Sequence, residues 1–170
     1  MKKTIILFST VALLFTACGD DKKTTTTDSK GGTEENASFT VNDDEGKTGS
    51  FSASGTDFKG KSSTQYFGDK VTGQYSVLCQ QDEPFALLQA VFSNEKETTG
   101  SFKPKEGFMS IPAGEAHVAL SGTAIGDKEF VTKSSSTGSI SVSGRTLTIK
   151  DLKLYNSDNA EKVVSASIDF

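Results

Sequence analysis

"GSISVSGRTLTIKDLKLYNSDNAEKVVSASIDF", residues 138–170, decides the fold class. Ile140 and Val142 alternate with Ser139, Ser141 and Ser143. Leu147 and Ile149 alternate with Thr146, Thr148 and Lys150, and Val164, Ala166, Ile168 and Phe170 alternate with Ser165, Ser167 and Asp169. A period of two sends successive side chains to opposite faces, the mark of a strand with one buried side. Gly144-Arg145 separates the first two runs, and Gly-x suits a type II′ hairpin turn. Asn156–Ala160 supplies the next turn. Residues 138–170 therefore read as a three-strand antiparallel meander. Its apolar phase slips where Leu147 and Ile149 give way to Leu152 and Leu154, and one extra residue at Asp151-Leu152, a β-bulge, accounts for the slip.

The same alternation runs upstream. Phe39 and Val41 share a side, as do Phe51 and Ala53. "YSVLCQQDEPFALLQAVF", residues 75–92, supports two readings. Asp82, Glu83 and Pro84 open a helix with Phe85, Leu88 and Phe92 on one face, or they turn the chain between strands 74–80 and 85–93. Two glycine-free apolar arms around a proline favour the hairpin.

A Thr-Gly-x-apolar unit occurs four times, starting at Thr48, Thr72, Thr99 and Thr137. Its intervals are unequal, which excludes a fixed-period solenoid. Each unit stands where a polar run hands over to a strand. Glycine permits the backbone angles of a turn exit, and the apolar residue enters the core. The unit reads as a strand start rather than a ligand loop.

Composition agrees with many turns and strands. Of 170 residues, 34% are apolar; Gly numbers 16, Phe 12 and Trp none. Net charge is −4. The first seventeen residues carry two lysines and no acid, so the remainder sums to 16 − 22 = −6. Positive charge is clustered nowhere beyond Lys22-Lys23. A nucleic-acid groove needs a concentrated positive field, so that partner class is set aside.

The chain opens "MKKTIILFSTVALLFTACGDD". Lys2-Lys3 precede an apolar run from Ile5 to Phe15, which as a helix rises roughly 16 Å, about half of a hydrocarbon core. That length suits a secretory signal better than a lasting span. "FTAC" resembles a bacterial lipobox. The resemblance implies cleavage after residue 17 and lipid addition at Cys18, the alternative being ordinary secretion with Cys18 incidental. From Gly19 to Asn36 no aliphatic or aromatic residue occurs, so residues 18–36 read as a disordered tether. Asp20-Asp21 resembles the surface-export signal of lipoproteins in Bacteroidota-type bacteria, and a plain tether explains these acids equally.

Candidate chemistry is sparse. His117, the sole histidine, lies in "EAHVALSG" and alternates with Val118 and Leu120. It reads as a solvated strand histidine; a Ser-His pair assembled from distant residues is the catalytic alternative. No G-x-S-x-G elbow occurs in the chain. Cys79 reads as a buried small apolar group, since residues 71–95 hold no Lys, Arg or His to activate it. "NDDEG", residues 42–46, reads as a solvated hairpin turn, because the alternating acid spacing of a calcium loop is missing. A final alternating strand ending on Phe170 resembles the last strand of an outer-membrane barrel, but many strands look too short for one and Trp is lacking.

Lipobox, tether, "FSASGTDFKGK" (residues 51–61) and the alternating final strand together resemble small β-rich lipoproteins of Bacteroidota-type bacteria. The resemblance implies outer-membrane attachment, on the periplasmic or cell-surface face, and no catalytic residue. The expected organisation is a signal peptide (1–17), lipidated Cys18 with its tether (18–36), and one all-β domain (37–170), an antiparallel β-sandwich or flattened β-barrel. The expected function is a non-catalytic binding or accessory module of the envelope, needing neither cofactor nor metal. Its partners would be the membrane, through the lipid, and an envelope protein, glycan or small ligand. A small-ligand carrier with an apolar pocket inside a barrel is the second reading, and a hydrolase using His117 the third.

Overall fold

A computed structural model describes residues 39–42, 47–68 and 73–170. The expected signal peptide, Cys18 and the expected tether lie outside the described residues. The strands are β1 (Phe39–Asn42), β2 (Thr48–Ala53), β3 (Thr56–Phe67), β4 (Gln74–Gln81), β5 (Ala86–Phe92), β6 (Gly100–Pro104), β7 (Glu115–Ser121), β8 (Phe130–Val131), β9 (Ser139–Ser143), β10 (Thr146–Tyr155) and β11 (Glu161–Asp169). One short 3-10 turn, Thr123–Ile125, follows β7.

Nine of these strands close into a barrel in the order β3-β2-β11-β10-β9-β6-β7-β5-β4, and β4 pairs back onto β3. Every neighbouring pair in the ring is antiparallel except β6–β7, which is parallel. β1 extends the ladder on β3, and β8 bridges β7 and β10. Full closure leaves the nine-strand ring without an open edge.

The C-terminal meander is β9-β10-β11, and its register shifts between Ile149 and Leu152. Asp151 adopts φ 48° there, and its amide donates to Ser165 Oγ at 3.0 Å. The bulge turns Leu152 and Leu154 back to the interior, where both are fully buried. A Cβ at Gly138 would stand 2.5 Å from Leu152 Cα, so glycine is what lets the chain enter β9 against the bulge.

Strands β4 and β5 form an antiparallel hairpin, which excludes a helix over residues 82–93. Its turn contains a cis Glu83-Pro84 bond. The Thr-Gly-x-apolar units do start strands: β2 begins at Thr48, β4 at Gln74, β6 at Gly100 and β9 at Ser139. Their apolar members Phe51, Tyr75, Phe102 and Ile140 all join the core. One reading fails. β1 and β2 are both antiparallel to β3, so they run in the same direction and are not the two arms of one hairpin, as the reading of "NDDEG" required. Residues 43–46 themselves lie outside the described residues.

β3 is long because it serves both of its neighbours in the ring as well as β1. Thr56–Lys61 pairs with β2, and Lys61–Phe67 pairs with β4. The corner falls at Gly60, where a Cβ would lie 1.9 Å from the Gln80 carbonyl oxygen. Gly49, the register partner of Gly60, leaves room for Ile168 and the Cys79 sulfur. A glycine corner of this kind lets a sheet bend sharply enough to close.

The interior is filled. Phe51 stacks on Phe58 with ring centroids 4.9 Å apart, and Phe92 meets Phe102 edge-on at 4.8 Å. Tyr75 sits 5.1 Å from Tyr66 and 6.2 Å from Phe170. Leu88, Leu120, Leu147, Leu152, Leu154 and Ile168 are fully buried among them. Each such side chain contributes roughly 1.5–3 kcal/mol relative to exposure. Polar residues such as Ser141, Ser165 and Ser167 alternate to the outside. A barrel that crosses a bilayer has the opposite polarity, apolar outside.

Candidate binding surface

The outer wall over β10, β11, β2 and β3 is made of short side chains. Ser50 of β2 pairs with Ser167 of β11, and Ser52 with Ser165. Thr148 of β10 pairs with Ser167, and Lys59 of β3 pairs with Ser50. Alternation places this row outside because the intervening Phe51, Ala166 and Ile149 face the core. Hydroxyl-length side chains between longer neighbours leave the wall low.

Two open depressions result. The larger, about 650 Å³, spans β11, β2, β3 and β4, with Ser50, Ser167, Lys59, Lys61, Gln80 and Asp169 among its lining residues. The smaller, about 450 Å³, adjoins it over β10 and shares Ser50, Lys59 and Ser167. The inward glycine pair Gly49–Gly60 underlies the larger one, where β3 bends away from β2 toward β4.

The rim is held by hydrogen bonds. Gln81 Oε1 accepts from the Lys59 amide at 3.1 Å, and Gln81 Nε2 donates to the Pro84 carbonyl at 2.9 Å. Gln80 Nε2 donates to Asp82 Oδ1 at 2.9 Å. Thr146 Oγ1 donates to Asp169 Oδ1 at 2.7 Å, and Ser62 Oγ donates to the Asp169 carbonyl. Among the described residues, no ion pair engages Lys59 or Lys61. The surface thus offers hydroxyls, amides, two ammonium groups and two carboxylates to a polar ligand lying across the strands.

His117 corrects the expectation of a solvated histidine. Its ring does point away from Val118 and Leu120, yet it is only 5% exposed. The parallel β6–β7 pair forces residues 105–114 to cross back over the outside of the barrel, and this strap covers the ring. The Phe108 ring centroid lies 6.4 Å away. His117 Nδ1 is 3.1 Å from the Lys105 carbonyl and 3.1 Å from Thr132 Oγ1. Thr132 Oγ1 donates to the Lys105 carbonyl at 2.6 Å and accepts from the Val118 amide at 3.1 Å. With the threonine proton so committed, neutral His117 carries its proton on Nδ1. Burial pushes its pKa down, opposed by the hydrogen bond that the ring donates to the Lys105 carbonyl. Among the described residues, neither a serine nor a carboxylate hydrogen-bonds the ring, so the geometry of a hydrolytic triad is missing there.

Cys79 is buried and free, as its sequence context indicates. Burial raises its pKa to about 11, which keeps the thiol protonated and unreactive. Among the described residues, no group of three or more His, Cys, Asp or Glu is placed to hold a metal ion. No helix there is long and apolar enough to cross a membrane.

The depressions were not singled out in the sequence. The serines and lysines were visible as outward residues, but only register brings Lys59, Ser50, Ser167 and Thr148 into one row. Comparison with known proteins finds no matching family model, no matching curated protein and no matching solved structure.

Proposed function

We propose that this chain is a lipid-anchored envelope protein whose barrel is a non-catalytic binding or accessory module. The outer-wall depression over β11, β2, β3 and β4 is its binding surface. One observation carries the choice: the barrel interior is filled by its own aromatic and aliphatic side chains, while an open depression of about 650 Å³ lies on the outer wall. A β-barrel fits either a binding or a carrier module, but a carrier needs an apolar hollow. Attachment rests on the lipobox-like "FTAC" and Cys18. Together with the β-rich domain it sustains the likeness to Bacteroidota-type lipoproteins.

The lining suits a polar, extended ligand such as a glycan chain or a peptide segment. The test is binding of the mature chain to arrays of envelope glycans and peptides, repeated with Lys59→Glu/Lys61→Glu and Ser167→Tyr. Binding lost in both variants supports the surface. Binding untouched by them, or none at all, removes it. Mass spectrometry of the mature N-terminus tests the anchor separately: acyl chains on Cys18 are expected, and an unmodified cysteine refutes it.

A further inference from the structure

Three large apolar side chains are partly exposed at one end of the barrel: Phe67 at 46% exposure, Phe108 at 59% and Met109 at 64%. Their positions are built into the fold. Phe67 pairs with Gln74 across β3–β4, so their side chains share the outer face. Gln74 Nε2 in turn donates to the Phe108 carbonyl at 2.6 Å. Gly107 at φ 76° and Ser110 at φ 51° bracket Phe108-Met109 with left-handed backbone, which shapes the tip. Among the described residues, the remaining exposed large apolar side chain is Phe85, in the turn at the opposite end of β4.

The covalent path picks out the same end. Phe39 is the register partner of Phe67, so the chain from Cys18 joins the barrel here. The separation is 39 − 18 = 21 residues, which reach about 75 Å at most. A lipid on Cys18 would thus tether the domain through this end. Resting on the anchored reading above, we propose that Phe67, Phe108 and Met109 form an apolar apex that inserts into the interfacial layer of the lipid membrane. Three side chains supply far less than the roughly 800 Å² per partner that a stable protein interface buries. A few apolar side chains suffice, however, to orient a domain already held at a lipid surface. The nearby charges are mixed: Lys105 beside Glu106, and Glu95, which hydrogen-bonds the neighbouring Tyr66, beside Lys96 and Glu97. Insertion by this apex is accordingly apolar in origin and insensitive to salt.

The chain contains no Trp, so Phe108→Trp makes a clean reporter. The mature protein carrying it is placed in phosphatidylcholine vesicles with brominated acyl chains. Blue-shifted, quenched emission at low and high salt alike is expected. In the acyl-free chain that begins at residue 18 and carries Cys18→Ser, at high lipid concentration, Phe67→Ser/Phe108→Ser/Met109→Ser lowers vesicle flotation about tenfold. Phe85→Ser leaves it unchanged, and circular dichroism verifies the fold of each variant. Unquenched emission, a triple variant that floats like wild type, or a concentration-dependent dimer that shields the reporter without vesicles overturns the apex. Absence of acyl chains on Cys18 with quenching retained overturns the anchor alone. Acylated Cys18 without quenching overturns the apex alone.

Discussion

Gly60 and Gln80 meet backbone to backbone: a Cβ on residue 60 would lie 1.9 Å from the Gln80 carbonyl oxygen. Neither atom belongs to a flexible side chain, so the strands themselves must part to admit a methyl group. Gly60→Ala is expected to cost more than about 3 kcal/mol or to abolish folding. Gly55→Ala is the control: nothing lies within 4 Å of its Cβ position, and only its φ of +88° opposes the change. That strain is worth about 1 kcal/mol. Urea unfolding of the two variants measures the difference, and equal losses would contradict the corner.

Phe170 is held from both sides. Its ring packs 6.2 Å from Tyr75, and the Arg145 guanidinium lies 5.3 Å from its centroid. The Phe170 amide donates to the Arg145 carbonyl at 2.8 Å, and Arg145 Nε donates back to the Phe170 carbonyl. Phe170→Ala is expected to lose about 3–5 kcal/mol of stability, and Arg145→Ala about 1 kcal/mol. Chemical denaturation ranks them, and a larger loss from the arginine would invert the account.

Acid should loosen the strap. Burial holds the pKa of His117 below its ordinary 6.5 in the folded chain. The unfolded state therefore binds the proton first. The stabilisation is complete above about pH 6.5 and is lost as pH falls from there toward the depressed folded value. His117→Gln is expected to flatten melting temperature over that window, while the wild type declines. Parallel melting curves for the two proteins across pH 7 to 5 would refute the burial.

The Cys79 thiol should be silent until the barrel opens. With its pKa raised to about 11 by burial, the folded state disfavours the thiolate. Its contribution is present below the ordinary value near 9 and is lost as pH climbs from there through 11. A thiol reagent at pH 8 should react at the rate of global unfolding, about a thousandfold or more below an unfolded control. Rapid labelling of the native protein would show an open path to residue 79.

What was legible in the sequence was local. Alternation through Ile140, Leu147 and Ile168 marks strands because period two is a property of one segment. The bulge at Asp151 was legible for the same reason: a phase slip needs no partner. Even the burial of Cys79 could be read from its own segment, since residues 71–95 hold no Lys, Arg or His. What stayed hidden depends on which strands meet. His117 alternates outward as expected, but the strap that buries it exists because β6 and β7 run parallel, and nothing in residues 100–121 announces a parallel pair. The depression likewise needs β11 beside β2, a pairing of residues more than a hundred positions apart.

That pairing joins the first strand of the ring to the last. A chain made or moved from its N-terminus onward cannot seal the cylinder until Glu161–Asp169 has arrived. Until then β2 and β10 each offer a raw hydrogen-bonding border to whatever strand passes by. This last strand acts as a latch, and a polypeptide lacking it would be left sticky rather than merely smaller.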